Sequence, residues 1–209
     1  MTKIQQSKRS FKDKWELNQD LAFAETLKEG SDIFNWILHR NGWDGPDSLQ
    51  SFLAGKRRIL DAGCGNGRVT ALLHRYASPE NTRITGVDVV SADVARRNLS
   101  GYDNVEIVSM DLMEDLSCLG RFDFIYCQEV LHHTADPRAA FLNLCRLLSD
   151  DGEIAVYVYK KKAPIREFAD DFVRDHISEL PYEQAIEAMQ EITELGRNLS
   201  DLGTKIRVP

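Results

Sequence analysis

Long apolar runs are missing from this sequence: no stretch of its 209 residues approaches the ~18 apolar residues of a membrane-spanning helix. Met1 opens a polar, charged segment without an apolar signal core, so neither a membrane partner nor export is expected. Positive charge is also short, with 26 Lys and Arg against 33 Asp and Glu and a formal net charge of −7. Affinity for nucleic acid comes largely from Lys and Arg neutralising phosphates, so no nucleic-acid partner is expected. Cysteine is scarce and scattered at Cys64, Cys118, Cys127 and Cys145. Without close pairs these make neither a metal site nor a disulfide scaffold; they suit a reducing, cytoplasmic setting. Internal repeats and low-complexity segments are absent as well.

What remains is an ordinary globular composition, 43% hydrophobic and 28% charged. The length fits one domain with an added helical layer. The most informative stretch is Ile59-Leu60-Asp61-Ala62-Gly63-Cys64-Gly65-Asn66-Gly67, an apolar run that ends in an aspartate and breaks into three glycines at alternate positions. Such a turn lets backbone amides approach a ligand closely. A dinucleotide loop of the G-x-G-x-x-G type needs its third glycine where Arg68 stands, which argues against a nicotinamide-dependent oxidoreductase.

Around this loop the pattern alternates. Strands are expected at 58–62, 84–89, 105–110, 122–127 and 153–159, and helices at 68–77, 92–99 and 137–148. Short β-branched and aromatic runs alternating with helical patterns predict an α/β fold, a doubly wound and mostly parallel sheet. Before it, residues 10–29 read as a loosely periodic helix. A clearer helix follows, capped by Ser31, in which Ile33, Trp36, Ile37 and Arg40 share a face; a short amphipathic piece spans 48–54. After the sheet, Pro164 and Pro181 each stand near the start of a charged, amphipathic helix. The expected organisation is an N-terminal helical extension or lid over 1–55, an α/β core over 56–160, a helical hairpin over the site at 161–203, and the start of a strand at 204–209. That last feature, Ile206-Arg207-Val208-Pro209, suggests a fragment.

In open parallel sheets, ligands bind beyond the carboxyl ends of the strands. Asp88 closes the second strand roughly 20 residues after the glycine loop, where a carboxylate can accept hydrogen bonds from both hydroxyls of a ribose; a solvated strand-end aspartate is the plainer reading. Asp111, after the third strand, can accept from the amine of adenine while Met110 and Leu112 offer apolar surface. It could equally be a helix N-cap.

Taken in order, Asp61-Ala62-Gly63-Cys64-Gly65-Asn66-Gly67, Gly86-Val87-Asp88, Asp111, Phe122-Asp123-Phe124-Ile125 and Val130-Leu131-His132-His133 make the chain resemble the class I S-adenosylmethionine-dependent methyltransferases. It looks closest to the small-molecule group with a V-L-H-H-type segment. The resemblance covers residues 57–159. It implies the cofactor S-adenosyl-L-methionine, with Asp61, Gly63, Cys64, Gly65 and Gly67 shaping the methionine-end pocket. Asp88 and Val89 would hold the ribose, Asp111 and Leu112 would frame adenine, and Gln128, just beyond the fourth strand, would line the methionine portion. It also implies methyl transfer to an oxygen or nitrogen of a small-molecule acceptor. Gln128-Glu129-Val130-Leu131 stands where relatives acting on nucleic-acid amines or glutamine amides carry an Asn-Pro-Pro-Tyr-like segment, which argues modestly against those acceptors. A non-catalytic cofactor-binding module is the alternative.

A base is required only if the acceptor must lose a proton. His132 and His133 are the candidates, although adjacent histidines cannot both face one pocket and either could simply pack. Tyr159, at the end of the fifth strand, could touch substrate, with Glu129 a weaker candidate. Lys160-Lys161-Lys162 beyond it reads as a solvated basic turn or as a site for an acidic acceptor group. Trp15 and Trp36 fit a core or a lid.

Overall fold

The computed structural model describes residues 3–78, 80–160 and 164–202. Five parallel strands form its centre: β1 (Arg58–Ala62), β2 (Arg83–Val87), β3 (Val105–Val108), β4 (Phe122–Gln128) and β5 (Leu148–Tyr157), in the order β3-β2-β1-β4-β5. The chain builds outward from β1 through β2 to β3, then returns to lay β4 on the other side of β1. That reversal opens a crevice between the carboxyl ends of β1 and β4.

Alternation along the strands supplies a core on each face of the sheet. Ile59, Ile84, Phe124 and Tyr126 pack with Phe34, Ile37, Leu38, Leu49, Leu53, Leu72 and Leu73. Leu60, Ala62, Val87, Ile125 and Cys127 turn to the opposite face and meet Leu112, Leu116, Leu131, Ala140 and Leu144. With both faces covered, the strands read as nearly continuous apolar runs.

The helices of the first cluster are α3 (Asp32–Arg40), α4 (Pro46–Leu53) and α5 (Arg68–Tyr76). The N-cap role of Ser31 holds, with the Phe34 amide donating to its Oγ at 3.1 Å, a bond worth about 1 kcal/mol. α6 (Ala92–Asn98) joins β2 to β3, and α7 (Pro137–Cys145), capped by Asp136, joins β4 to β5. A single 3₁₀ turn, Ser117–Leu119, stands between β3 and β4.

Several expected boundaries move. The N-terminal helix is two, α1 (Lys3–Leu17) and α2 (Phe23–Leu27), because the Asn18 side chain folds back onto the Lys14 carbonyl at 3.0 Å and Ala22 takes a left-handed φ of 56°. α7 stops at Cys145 rather than 148, since β5 begins at Leu148. There Phe122 pairs with Leu148 but Phe124 with Glu153, so the turn-like Ser149-Asp150-Asp151-Gly152 is absorbed as an irregularity within the strand. β5 ends at Tyr157, which leaves Tyr159 beyond it.

The chain divides into two compact units, Met1–Tyr159 and Lys160–Pro209. The second carries α8 (Pro164–Ile177), which starts at the expected proline, and α9 (Tyr182–Asp201), which has Pro181 as its N-cap. Lys161, Lys162 and the expected strand at 206–209 lie outside the described residues. Among the described residues no helix is long and apolar enough to cross a membrane.

Candidate active site

The glycine loop leaves β1 and is pinned to β2: the amides of Gly63 and Cys64 both donate to the Val87 carbonyl, at 2.7 and 3.1 Å. Asn66, fully buried, donates from its side chain to the carbonyls of Gln19 and Leu21, binding the loop to the segment after α1. The Trp15 indole lies against Gly65, where a Cβ would stand 3.0 Å from Cζ2 at a φ of +58°. Gly67 stands back from the other two glycines of the loop. It does not line the cavity; a Cβ there would meet Leu99 of the α6 region at 2.6 Å, so this glycine serves helix packing.

Asp61 closes the loop's floor, 2% exposed, accepting from the Thr70 hydroxyl at 2.6 Å. Burial pushes its carboxyl up to about 7 against the Thr70 hydrogen bond, and Asp88 adds to the rise. Cys64 is buried beside it, its thiol pushed well above the ordinary range.

Asp88 is more than a solvated strand end. Its Oδ2 accepts from the Gly65 amide at 3.0 Å, and Oδ1 accepts from the amides of Val90 and Ser91, each at 2.8 Å. One carboxylate thus joins the glycine loop to the exit of β2, with one of its roughly four acceptor positions still open. Asp111 caps a turn instead of a helix, accepting from the Met113 amide at 3.1 Å, while Lys8 of α1 pairs with its other oxygen at 2.8 Å. Burial acts to raise the Asp111 carboxyl, but the bonds from Lys8 and Met113 outweigh it and hold it low.

Gln128 is the last residue of β4, not the first beyond it. Its side chain, 9% exposed, accepts from the Tyr126 hydroxyl at 3.0 Å and donates to Asn41. Glu129 then adopts a left-handed φ of 63°, a conformation of appreciable cost for a residue with a Cβ. Its Oε1 lies 3.4 Å from the Arg40 guanidinium and 3.5 Å from the donating Tyr159 hydroxyl. Arg40 is sandwiched between Trp36 and Tyr157, at 3.5 and 4.5 Å from the ring centroids, with its side chain 10% exposed. Its Nε and Nη1 are buried without a hydrogen-bond acceptor.

The histidines sit on a 3₁₀ turn, Leu131–His133, and only His133 lines the cavity. Phe11 of α1 meets it edge-on at 4.7 Å. Burial, then His132 and Lys14, lowers the His133 imidazole to about 4, so it is neutral at neutral pH. His132 is turned away, 4.1 Å from the Tyr159 ring, and neither of its ring nitrogens has a partner. Of the two candidate histidines, His133 is thus the one in the cavity wall.

These residues enclose a cavity of about 240 Å³ at the carboxyl ends of the strands. Asp61, Gly63, Cys64, Gly65, Asp88, Val89, Asp111, Leu112, Gln128, His133 and Tyr159 all line it. The sequence reading missed Lys8, Lys14, Arg40 and Arg68. Arg40 had a legible signal, a cation on the apolar face of its helix beside Trp36 and Ile37. Among the described residues no group of His, Cys, Asp and Glu is placed to hold a metal ion.

A methyltransferase domain family model matches residues 22–192. The chain belongs to this methyltransferase family. The domain is 31% identical over 126 residues to the ubiquinone biosynthesis O-methyltransferase of Pseudomonas aeruginosa (strain UCBPP-PA14), covering 57% of this chain and 47% of that one. It is 29% identical over 154 residues to the 27-O-demethylrifamycin SV methyltransferase of Amycolatopsis mediterranei (strain S699), covering 65% and 54%. The chain therefore spans about half the length of these relatives. The N-methyltransferase NodS from Bradyrhizobium japonicum WM9, solved with S-adenosyl-l-homocysteine, aligns with a TM-score of 0.47 at 20% identity, covering 66% of this chain and 72% of that one.

Proposed function

We propose that this chain is an S-adenosylmethionine-dependent methyltransferase that acts on an oxygen or nitrogen of a small molecule. The observation that carries the reading is the convergence of the glycine loop, Asp88 and Asp111 on one cavity at the switch point of the sheet. The chemistry of the donor set fits the cofactor. The open position on Asp88 suits a ribose hydroxyl, and Asp111 with Leu112 suits adenine. The orphaned N–H groups of Arg40 match a carboxylate, and the buried Asp61 matches an ammonium.

When bound, the cofactor supplies a methyl carbon already activated by its sulfonium. The residues of the chain then have three tasks. Asp61, Gly63, Cys64, Gly65, Asp88, Val89, Asp111, Leu112, Gln128 and Arg40 hold the donor in near-attack geometry. Phe11, Trp15 and Lys8 of α1 exclude water as a lid. His133, neutral at neutral pH, accepts the acceptor's proton at a ring nitrogen, and Tyr159, held by Glu129, orients the acceptor.

A net charge of −7 and the Gln128-Glu129-Val130-Leu131 segment favour a small acceptor over nucleic acid. Four free cysteines, two of them buried, suit the cytoplasm. The test is turnover: purified chain with methyl-labelled S-adenosylmethionine and a panel of phenols, acids and amines. Label in a product with matching release of S-adenosylhomocysteine supports the reading; hydride transfer from a nicotinamide instead would overturn it.

A further inference from the structure

The cavity wall carries four cations, Lys8, Lys14, Arg40 and Arg68, and four carboxylates, Asp61, Asp88, Asp111 and Glu129, but they do not pair one to one. Lys8 is paired with Asp111 at 2.8 Å, and Arg40 stands 3.4 Å from Glu129 with Nε and Nη1 still lacking a hydrogen-bond acceptor. The Asp88 carboxylate is turned onto three backbone amides, and Asp61 is bound to the Thr70 hydroxyl. Left over are Lys14 and Arg68, both half-buried and both in the cavity wall. Arg68 donates to the Thr26 hydroxyl at 3.3 Å, a neutral acceptor. Lys14 has its ammonium over the rings of Trp15 and Phe11, 4.5 and 5.8 Å from their centroids. Among the described residues neither cation has a carboxylate within ion-pair distance. Burial first, then the Arg68 guanidinium, makes Lys14 hold its proton less tightly than a free lysine, with Glu129 opposing.

The cofactor adds more positive charge than negative. It carries one carboxylate, for which the buried N–H groups of Arg40 are the matching donors, against an ammonium and a sulfonium. Lys14 and Arg68 are then left without a carboxylate within ion-pair distance in a cavity to which the cofactor adds net positive charge. Lys14 also stands where an acceptor must come. It is one turn beyond Phe11, which packs on His133, and its charge is among the influences that lower the His133 imidazole.

We propose that the methyl acceptor is a carboxylic acid bound as its anion, with Lys14 and Arg68 as the receptor for its carboxylate. This rests on the methyltransferase reading and narrows it to a substrate class. The anion neutralises the cations, and the charge-assisted bonds leave the acceptor's other end toward His133 and Tyr159.

The test titrates benzoate, and separately its uncharged analogue benzamide, into the full chain saturated with S-adenosylhomocysteine, using wild type, Lys14→Gln and Lys14→Arg. Benzoate should bind about tenfold more tightly than benzamide; the preference should vanish in Lys14→Gln and largely return in Lys14→Arg. Equal affinity for the two probes, failure of both to bind included, overturns the proposal. So does a benzoate preference that survives in Lys14→Gln. A loss in Lys14→Gln that falls mainly on S-adenosylhomocysteine overturns it too, by giving Lys14 to the donor's carboxylate. The initial saturation with S-adenosylhomocysteine reads the broader proposal separately: if wild type cannot be saturated, the methyltransferase reading fails first and takes this one with it.

Discussion

The Trp15 indole rests on Gly65, close enough that a Cβ at position 65 would stand 3.0 Å from Cζ2 and 3.2 Å from Cε2. The contact joins α1 to the glycine loop across fifty residues of sequence, and it explains how an otherwise polar helix is held against the cavity. Gly65→Ala meets both a left-handed backbone and this ring. The backbone cost alone is about 1–2 kcal/mol, and a 200-residue chain loses roughly 2–4 °C per kcal/mol. Thermal unfolding of Gly65→Ala, Trp15→Ala and the double variant should show that removing the ring relieves part of the Gly65→Ala loss. Strictly additive losses would contradict the contact.

Asp88 is a structural hub as well as a proposed ribose ligand. Asp88→Ala leaves the amides of Gly65, Val90 and Ser91 without their acceptor. The expected cost is roughly 2–5 kcal/mol, seen as a lowered urea midpoint together with lost affinity for S-adenosylhomocysteine. Asp88→Asn, which keeps one acceptor oxygen, should fall between. An Asp88→Ala variant as stable as wild type would refute the hub.

Two groups, Asp61 and the half-buried His133, make stability depend on pH in opposite senses. Asp61 ionises at about 7 in the folded chain against 3.8 ordinarily, so between these values the folded state keeps a proton that the unfolded state has lost. Its contribution therefore falls as pH rises through that window. His133 is lowered to about 4 from 6.5, so between those values the unfolded chain holds the extra proton and stability rises with pH. In wild type the two slopes offset each other from about pH 4 to 6.5. Urea unfolding across that range should show a rising slope in Asp61→Asn and a falling one in His133→Ala. A change of slope in the same direction in both variants would contradict the assignment.

The same histidine carries a kinetic expectation. With an acceptor in hand, His133→Ala should lower kcat by roughly 10²–10⁴ if the acceptor loses its proton in the rate-limiting step, and His132→Ala much less. Because the imidazole is already neutral above about pH 5, its acid limb belongs near pH 4–5. Equal rates in His133→Ala and wild type would remove His133 from the chemistry.

The sheet was largely legible because parallel strands buried on both faces read as apolar runs. β1 falls on the expected residues, and the order of loop, Asp88 and Asp111 follows from strand ends alone. β5 was misplaced at its start because Asp150-Asp151-Gly152 has turn chemistry that the strand absorbs through a register shift. Arg40 and Lys14 were not read as cavity wall, since what makes them so is tertiary: Tyr157 and Glu129 stand far along the chain from Arg40, as Arg68 and His133 do from Lys14. The contacts of Leu99 beside Gly67 and of Tyr159 against His132 are tertiary as well, and no spacing in the sequence announces them.

Calorimetric titration of S-adenosylhomocysteine into the purified chain, with NAD titrated in parallel, tests the central claim most directly. The account predicts saturable one-to-one binding of S-adenosylhomocysteine and none of NAD. Binding of NAD in its place, or no affinity for S-adenosylhomocysteine at millimolar concentration, would contradict it.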